Sequence, residues 1–276
     1  DPEFGSTSGM VAQYVTKSGT NDLHGTLFYF NRNSASFAAD PLTEKIAGTG
    51  PDGKGTGVAP YNWNQGGFSL GGPIKKNKLF VFGDYQLTRQ IQGASLIATV
   101  PNAAFRSGDF SGLGNVIYDP ATGNADGTGR SPFPQNSVPS NRINPVAVNL
   151  MNLLPSPNID QGTDNNYVGN VKESFHQNWA DTRGDWNITD SDKFFARYSY
   201  FSTLLNNPAL FGREAGGPSQ GGLSPETANS SSHQAAMNYV HTFGPSLLAE
   251  FRAGYLRFNL AALQADAGLR TNDKVG

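Results

Sequence analysis

Over residues 180–188, 193–202 and 246–259 the chain changes polarity at every second residue. No other feature narrows the fold as much, because only an extended strand sends successive side chains to opposite faces. Residues 180–188 put Asp181, Arg183, Asp185 and Asn187 on one face and Thr182, Gly184, Trp186 and Ile188 on the other. Residues 193–202 put Phe194, Ala196, Tyr198 and Tyr200 opposite Arg197 and Ser199, and the link 189–192 between these two runs predicts a hairpin. The pattern returns in 232–243 with 246–259, joined by Gly244-Pro245, and in 64–72 with 78–89, joined by residues 73–77. In the last strand Leu247, Ala249, Phe251, Ala253 and Tyr255 oppose Glu250, Arg252 and Gly254. In 78–89, Phe80 and Phe82 fall on the otherwise polar face of Asp84 and Gln86. A first pair, 10–17 and 24–32, is joined by residues 18–23.

Connection lengths then separate the architectures. Within pairs they run to about two to seven residues; between pairs they are the long stretches 33–63, 90–179 and 203–231. Short and long connections alternate strictly, as in an outer-membrane barrel with short periplasmic turns and long external loops. A spanning backbone must satisfy all its polar groups, which only helices or closed barrels do, and no apolar run here reaches helix-spanning length. Composition agrees: 33 Gly, 11% aromatic and only 15% charged residues suit two-faced strands and polar loops. The net charge of −2 gives no basic footprint for nucleic acid, so none is expected as a partner. The long middle stretch is rich in Pro and Gly, with one short amphipathic helix expected near 145–154, Pro145 at its first position. An insertion of that length reads as a folded external subdomain. The expected fold is therefore all-β: an antiparallel transmembrane β-barrel segment with long extracellular loops.

Chemistry-bearing residues are sparse. The chain has no Cys, which removes disulfides, Cys-ligated zinc and thiol nucleophiles. His24, His176, His233 and His241 lack metal-helix spacing and read as hydrogen-bonded or exposed side chains. No Gly-x-Ser-x-Gly elbow is present, so no enzyme is expected, and no cofactor. Asp119, Asn124 and Asp126 have a calcium-loop flavour without the order or closing Glu, so no metal is assigned. Lys17-Ser18-Gly19 lacks the phosphate-loop frame; Ser18-Gly19-Thr20-Asn21 reads as a turn in which Gly19 supplies a positive φ. Lys75, Lys76 and Lys78 read as a solvated turn that keeps charge out of lipid. Tyr85, Tyr198, Tyr200, Phe243 and Tyr255 lie within or at the ends of strands, where aromatic rings suit membrane interfaces.

Two motifs carry a family likeness most specifically, and three shorter stretches share it. Val15-Thr16-Lys17-Ser18-Gly19-Thr20-Asn21 followed by His24-Gly25 resembles the plug–barrel junction of TonB-dependent outer-membrane receptors. Gly71-Gly72-Pro73-Ile74-Lys75-Lys76-Asn77-Lys78 is similar to the Oar-like subgroup, as are Thr99-Val100-Pro101, Arg106-Ser107-Gly108-Asp109-Phe110-Ser111 and Arg142-Ile143-Asn144-Pro145-Val146-Ala147. The resemblance implies a roughly 22-stranded barrel around a plug. Residues 1–20 would then end the plug with one plug strand, 10–17, and 21–276 would supply about seven barrel strands, the chain being a piece of a longer protein. It further implies nutrient uptake powered by TonB–ExbB–ExbD through the full-length protein's N-terminal part. The partners would be outer-membrane lipid and an extracellular ligand of unknown identity, whether carbohydrate, peptide or metal chelate. An alternative is a surface adhesion or polymer-binding barrel without transport. No ligand-binding residue follows from the motifs.

Overall fold

A computed structural model describes residues 16–36, 60–160, 162–220 and 226–276. Seven strands pair in chain order as one antiparallel sheet: β1 (His24–Asn33), β2 (Tyr61–Lys75), β3 (Leu79–Ala98), β4 (Tyr167–Asn187), β5 (Asp192–Asn207), β6 (Glu226–Gly244) and β7 (Leu247–Gln264). Of the strand expected over 10–17, only Thr16 and Lys17 are among the described residues, and neither is in a strand. Helices are short: α1 (Ala103–Arg106), α2 (Pro145–Leu153), α3 (Gly212–Ala215) and α4 (Thr271–Val275). The expected helix near 145–154 is α2.

Residues paired across a ladder share a face, so register sorts the side chains. One face carries Leu27 and Tyr29 of β1, Phe68 and Leu70 of β2, and Val81 and Tyr85 of β3. It continues through Trp186, Phe194 and Tyr239, which meet Phe251 in a single row. Many of these rings and aliphatic chains are exposed, which only hydrocarbon outside the sheet makes stable. The opposite face carries Asp84, Asp181, Arg183, Asp185, Arg197, Gln234 and Glu250 and lines the lumen. Buried apolar side chains are accordingly scattered, Phe82 against the lumen and Val100 and Phe133 in the loop after β3, rather than gathered in one core.

The lipid face ends sharply toward the long loops. The first polar residue above the apolar band is Asn31 in β1, Asn64 in β2, Arg89 in β3, Asn178 in β4, Ser202 in β5, His233 in β6 and Arg257 in β7. Asn31, Asn64 and Arg89 share one row; Asn178 and Ser202 sit two residues deeper, and His233 and Arg257 two deeper again. Such a slant is what strands tilted against the membrane normal require. On β3 the band runs from Leu79 to Leu87. About nine residues at about 3.3 Å, tilted by about 40°, give a band about 23 Å tall, close to the ~25 Å typical of such barrels.

The strands run farther out than the alternation indicates. β3 continues beyond Arg89 to Ala98 and β4 begins at Tyr167, so the loop expected at 90–179 is confined to 99–166. Likewise β5 extends to Asn207 and β6 starts at Glu226, narrowing the loop expected at 203–231 to 208–225. Most of the loop expected at 33–63 lies outside the described residues. The reason is solvation. Above the boundary both faces of β3 and β4 meet water, so Gln90, Gln92, Ser95, Asn170, Lys172 and Glu173 need no alternation while the backbone ladder continues. The turns are short, and that of 76–78 holds Asn77 at φ 63°, beside the exposed Lys75, Lys76 and Lys78 expected of a solvated turn.

Candidate functional site

At the inner rim of the lumen the two resemblance motifs meet. The segment 16–22 runs over the lumen side of β2–β4 before β1 begins at His24. Arg183 Nη1 donates to Thr16 O (3.2 Å) and Thr16 Oγ1 (3.0 Å). The rest of its guanidinium forks onto the Asp185 carboxylate (2.7 and 2.9 Å) and lies 4.3 Å from the centre of the Phe195 ring. A planar five-donor group can serve all three at once; an ammonium cannot. Lys17 lies near Asp84, which is paired directly with Asp181, so one cation stands beside two neighbouring carboxylates. Trp179 Nε1 (2.5 Å) and Ser199 Oγ also donate to Asp181.

Asn21 and Asn77 close the junction with reciprocal bonds. Asn21 Nδ2 donates to Asn77 Oδ1 (2.6 Å), and the Asn77 backbone N–H donates to Asn21 Oδ1 (2.8 Å). Asn187 Nδ2 reaches Asn77 O (3.2 Å) from β4. Gly19 is buried against the backbone of β2 and β3: a Cβ there would stand 2.5 Å from Val81 O and 2.7 Å from Gly72 O. The expectation that Gly19 supplies a positive φ is therefore corrected, since it is not among the positive-φ residues and is required for close approach instead. Thr20 bonds Asp22 O and His24, shaping the turn, while Ser18 is exposed. Gly71 faces His24 and leaves room for the inward Phe82; Gly25 pairs with Leu70, Gly72 lies under Leu23, and Pro73 opens the bulge in β2. Val15 lies outside the described residues. The partners Arg183 and Asn77 were not legible as such, being 167 and 56 residues away in sequence from Thr16 and Asn21.

At the outer mouth the lumen face turns aromatic. One row holds Phe28, Trp179, Phe201 and Phe258, with Trp179 edge-on to Phe201 at 5.5 Å. The sequence signal is an inversion of alternation above the tyrosines: after Tyr255, the apolar Leu256, Phe258 and Leu260 take the lumen parity and Arg257 the lipid parity.

Above the mouth, the 99–166 loop is held by side chains bonding backbone. Asn102 caps α1 by accepting from Phe105 N (2.9 Å), and Asn144 caps α2 by accepting from Val146 N (2.8 Å). Arg106 donates to the carbonyls of Pro101 (3.0 Å), Met151 (2.7 Å), Leu154 (3.1 Å) and Pro155 (2.7 Å), closing the C-terminal end of α2. Asn166, fully buried, both donates to and accepts from the backbone of Val100 (2.9 Å each). Gly108, at φ +86°, has Val138 O 2.9 Å from where a Cβ would sit.

The oxygens of the calcium-like stretch are used within the loop. Asp119 takes both Arg142 nitrogens and Ala121 N, and Asp126 accepts from Thr128 N (2.9 Å) and Oγ1 (2.7 Å). The bond from Arg142, then that from Ala121, holds the Asp119 carboxyl down at about 2. Among the described residues no three acidic or His side chains are grouped to hold a metal. His233 Nδ1 and Tyr198 Oη are hydrogen-bonded (2.7 Å) and His241 pairs with Asp192 (2.6 Å), while His176 is exposed.

A single antiparallel sheet with an apolar outer face, a polar lumen and short inner turns defines a membrane-spanning β-barrel protein. The chain belongs to the outer membrane beta barrel domain family, whose model matches residues 15–276, and its location is accordingly the outer membrane. Searches of curated proteins and of solved structures each return no match.

Proposed function

We propose that this barrel domain is the first part of a TonB-dependent transporter of the Oar-like kind, with residues 1–20 ending a plug and 21–276 beginning the barrel. The observation that carries the reading is the course of residues 16–21. They run along the lumen side, fastened by Arg183 and Asn77, along the path a chain takes when it leaves a plug inside the barrel and enters the first strand. Strand direction supports a larger barrel. With seven antiparallel strands, β1 and β7 point the same way, so joining them would make a parallel ladder; antiparallel closure takes an odd number of further strands. The long outer loops and the aromatic row Phe28–Trp179–Phe201–Phe258 supply the surface for capturing an extracellular ligand. Carbohydrate, peptide and metal chelate all remain within that chemistry. TonB–ExbB–ExbD would act on the full-length protein from the periplasmic side.

Site-specific cross-linking of the full-length protein to TonB in cells tests this. A cross-link that strengthens when ligand-bearing medium is supplied supports transport. Absence of any cross-link, with the barrel folded in the outer membrane, overturns it in favour of surface adhesion or polymer binding.

A further inference from the structure

Above the inner charges, the lumen wall carries a collar with no charge in it. The row through Trp179 and the row through Gln177 above it hold no Asp, Glu, Lys, Arg or His on any of the seven strands. Directly below, Asp84 is paired with Asp181; above, charge returns at Arg32 and Glu173.

Within this collar, side chains from neighbouring strands converge. Gln86, Trp179 and Phe201 are direct neighbours in one row, and Gln177 stands one step above Trp179 on β4. Phe28 joins them from β1. Its ring lies over Gly67, where a Cβ would stand 2.9 Å from Phe28 Cζ, and Gly67 is paired with Gln86. Ring, amide, indole and ring thus follow one another over about 14 Å, three ladder spacings.

The indole is held in place. Its Nε1 donates to Asp181 (2.5 Å), a carboxylate that Ser199 also binds, and Phe201 meets it edge-on at 5.5 Å. Trp179 is nonetheless 44% exposed. A ring already fixed, with a face open to the lumen, loses little rotamer freedom when a ligand stacks on it. Gln86 and Gln177 are half-buried, and their side-chain amides bond no described residue; Gln177 uses only its backbone carbonyl, toward Arg89. Each amide offers both donors and an acceptor.

We infer that this collar binds a neutral oligosaccharide, its sugar rings stacking on Phe28, Trp179 and Phe201 and its hydroxyls bonding Gln86 and Gln177. The inference rests on the reading of the outer mouth as the ligand-capturing end, and it narrows the ligand to one class. An aromatic face carries negative potential that attracts the C–H face of a sugar ring, and an amide matches hydroxyls that both donate and accept. Acidic glycans and charged metal chelates bring charge that no group of the collar balances, and burying charge unpaired is costly. A peptide presents charged termini to the same neutral wall.

The test presents purified full-length protein to an array of neutral oligosaccharides and their uronate- or sulfate-bearing counterparts. The strongest neutral glycan, a casein digest and ferric citrate are then titrated in solution. Binding to neutral glycans at least about tenfold tighter than to the acidic counterparts is expected. Trp179→Ala should weaken it about tenfold or more and Gln86→Leu severalfold, while Trp186→Phe on the lipid face leaves it unchanged. Because Trp179 is tied to Asp181, Gln86→Leu, which breaks no side-chain bond among the described residues, serves as the second variant. Barrel folding is read from heat-modifiable gel mobility. Folded protein that binds no neutral glycan overturns the inference. So does tighter binding of acidic glycans, ferric citrate or the digest, and so do folded variants at Trp179 and Gln86 that bind like the unaltered protein. A TonB cross-link without glycan binding removes this inference alone. Glycan binding without a cross-link keeps it and assigns the collar to a polymer-binding barrel.

Discussion

In the sheet, backbone groups bond one another across six ladders, and side chains are left to be sorted by the two solvents they meet. In the 99–166 loop the roles are exchanged: Asn102, Arg106, Asn136, Asn144 and Asn166 use their side chains to satisfy backbone groups that have no ladder. Sequence patterning comes from the solvent that each region meets. Hydrocarbon penalises each wrongly facing polar residue, so the spanning segments alternate visibly. Water penalises neither face of a loop, so the loop's order rests on a few donors at positions that follow no period.

The largest way to break this contrast is at the lipid face. Phe251 lies near the middle of the β7 band, which runs from Leu247 to Tyr255, whereas Glu250 faces the lumen. Phe251→Arg should cost about 2–4 kcal/mol and lower the folded fraction on heat-modifiable gels far more than Glu250→Arg. Equal yields would refute the facing. Next is Arg106→Ala, which removes the donor from four carbonyls at once. A loss of about 1–3 kcal/mol is expected from the loop alone. Limited proteolysis should cut within 99–166 sooner while barrel mobility on gels stays unchanged; a barrel that fails with the loop would show the two regions are one cooperative unit.

Asn144→Ala removes the α2 cap and should cost about 1 kcal/mol, seen as faster amide exchange over Val146–Leu153 with the 102–106 turn unaffected. The smallest effect is set by acid. Asp119 titrates at about 2 in the folded loop against an ordinary 3.8, so the stabilisation it provides is complete above about pH 4. That stabilisation is lost as pH falls from about 4 to about 2. Amide exchange around Asp119 should rise over that interval in the unaltered protein, and Arg142→Gln should shift the rise to higher pH. An unchanged profile in the variant would remove Arg142 as the cause.

Much of the barrel was legible in the chain. The pairs 64–72 with 78–89, 180–188 with 193–202 and 232–243 with 246–259 all stand as hairpins inside longer ladders. Their ends were not legible, because Gln90, Gln92, Asn170 and Glu173 stand above the membrane, where no alternation marks a strand. Of the junction, the motif residues could be named but not their partners. Nothing in the spacing of Asn21 and Asn77, or of Thr16 and Arg183, announces a bond, and the local sequence around Gly19 signals a turn rather than its contact with Val81 and Gly72.

Which residues face lipid is written along the chain, in a period of two that the bilayer enforces residue by residue. Also written there is which ends of the strands carry turns and which carry loops, in connection length alone. How the seven described strands stand beside one another emerges only from their pairing in the folded sheet. That register slants the polar boundary from Asn31 down to Arg257, sets Asp84 beside Asp181, and brings residues 16–21 onto the turn at Asn77. Facing is a local choice between two solvents, whereas register is a sum over ladders between residues tens of positions apart, and no single stretch of chain contains it.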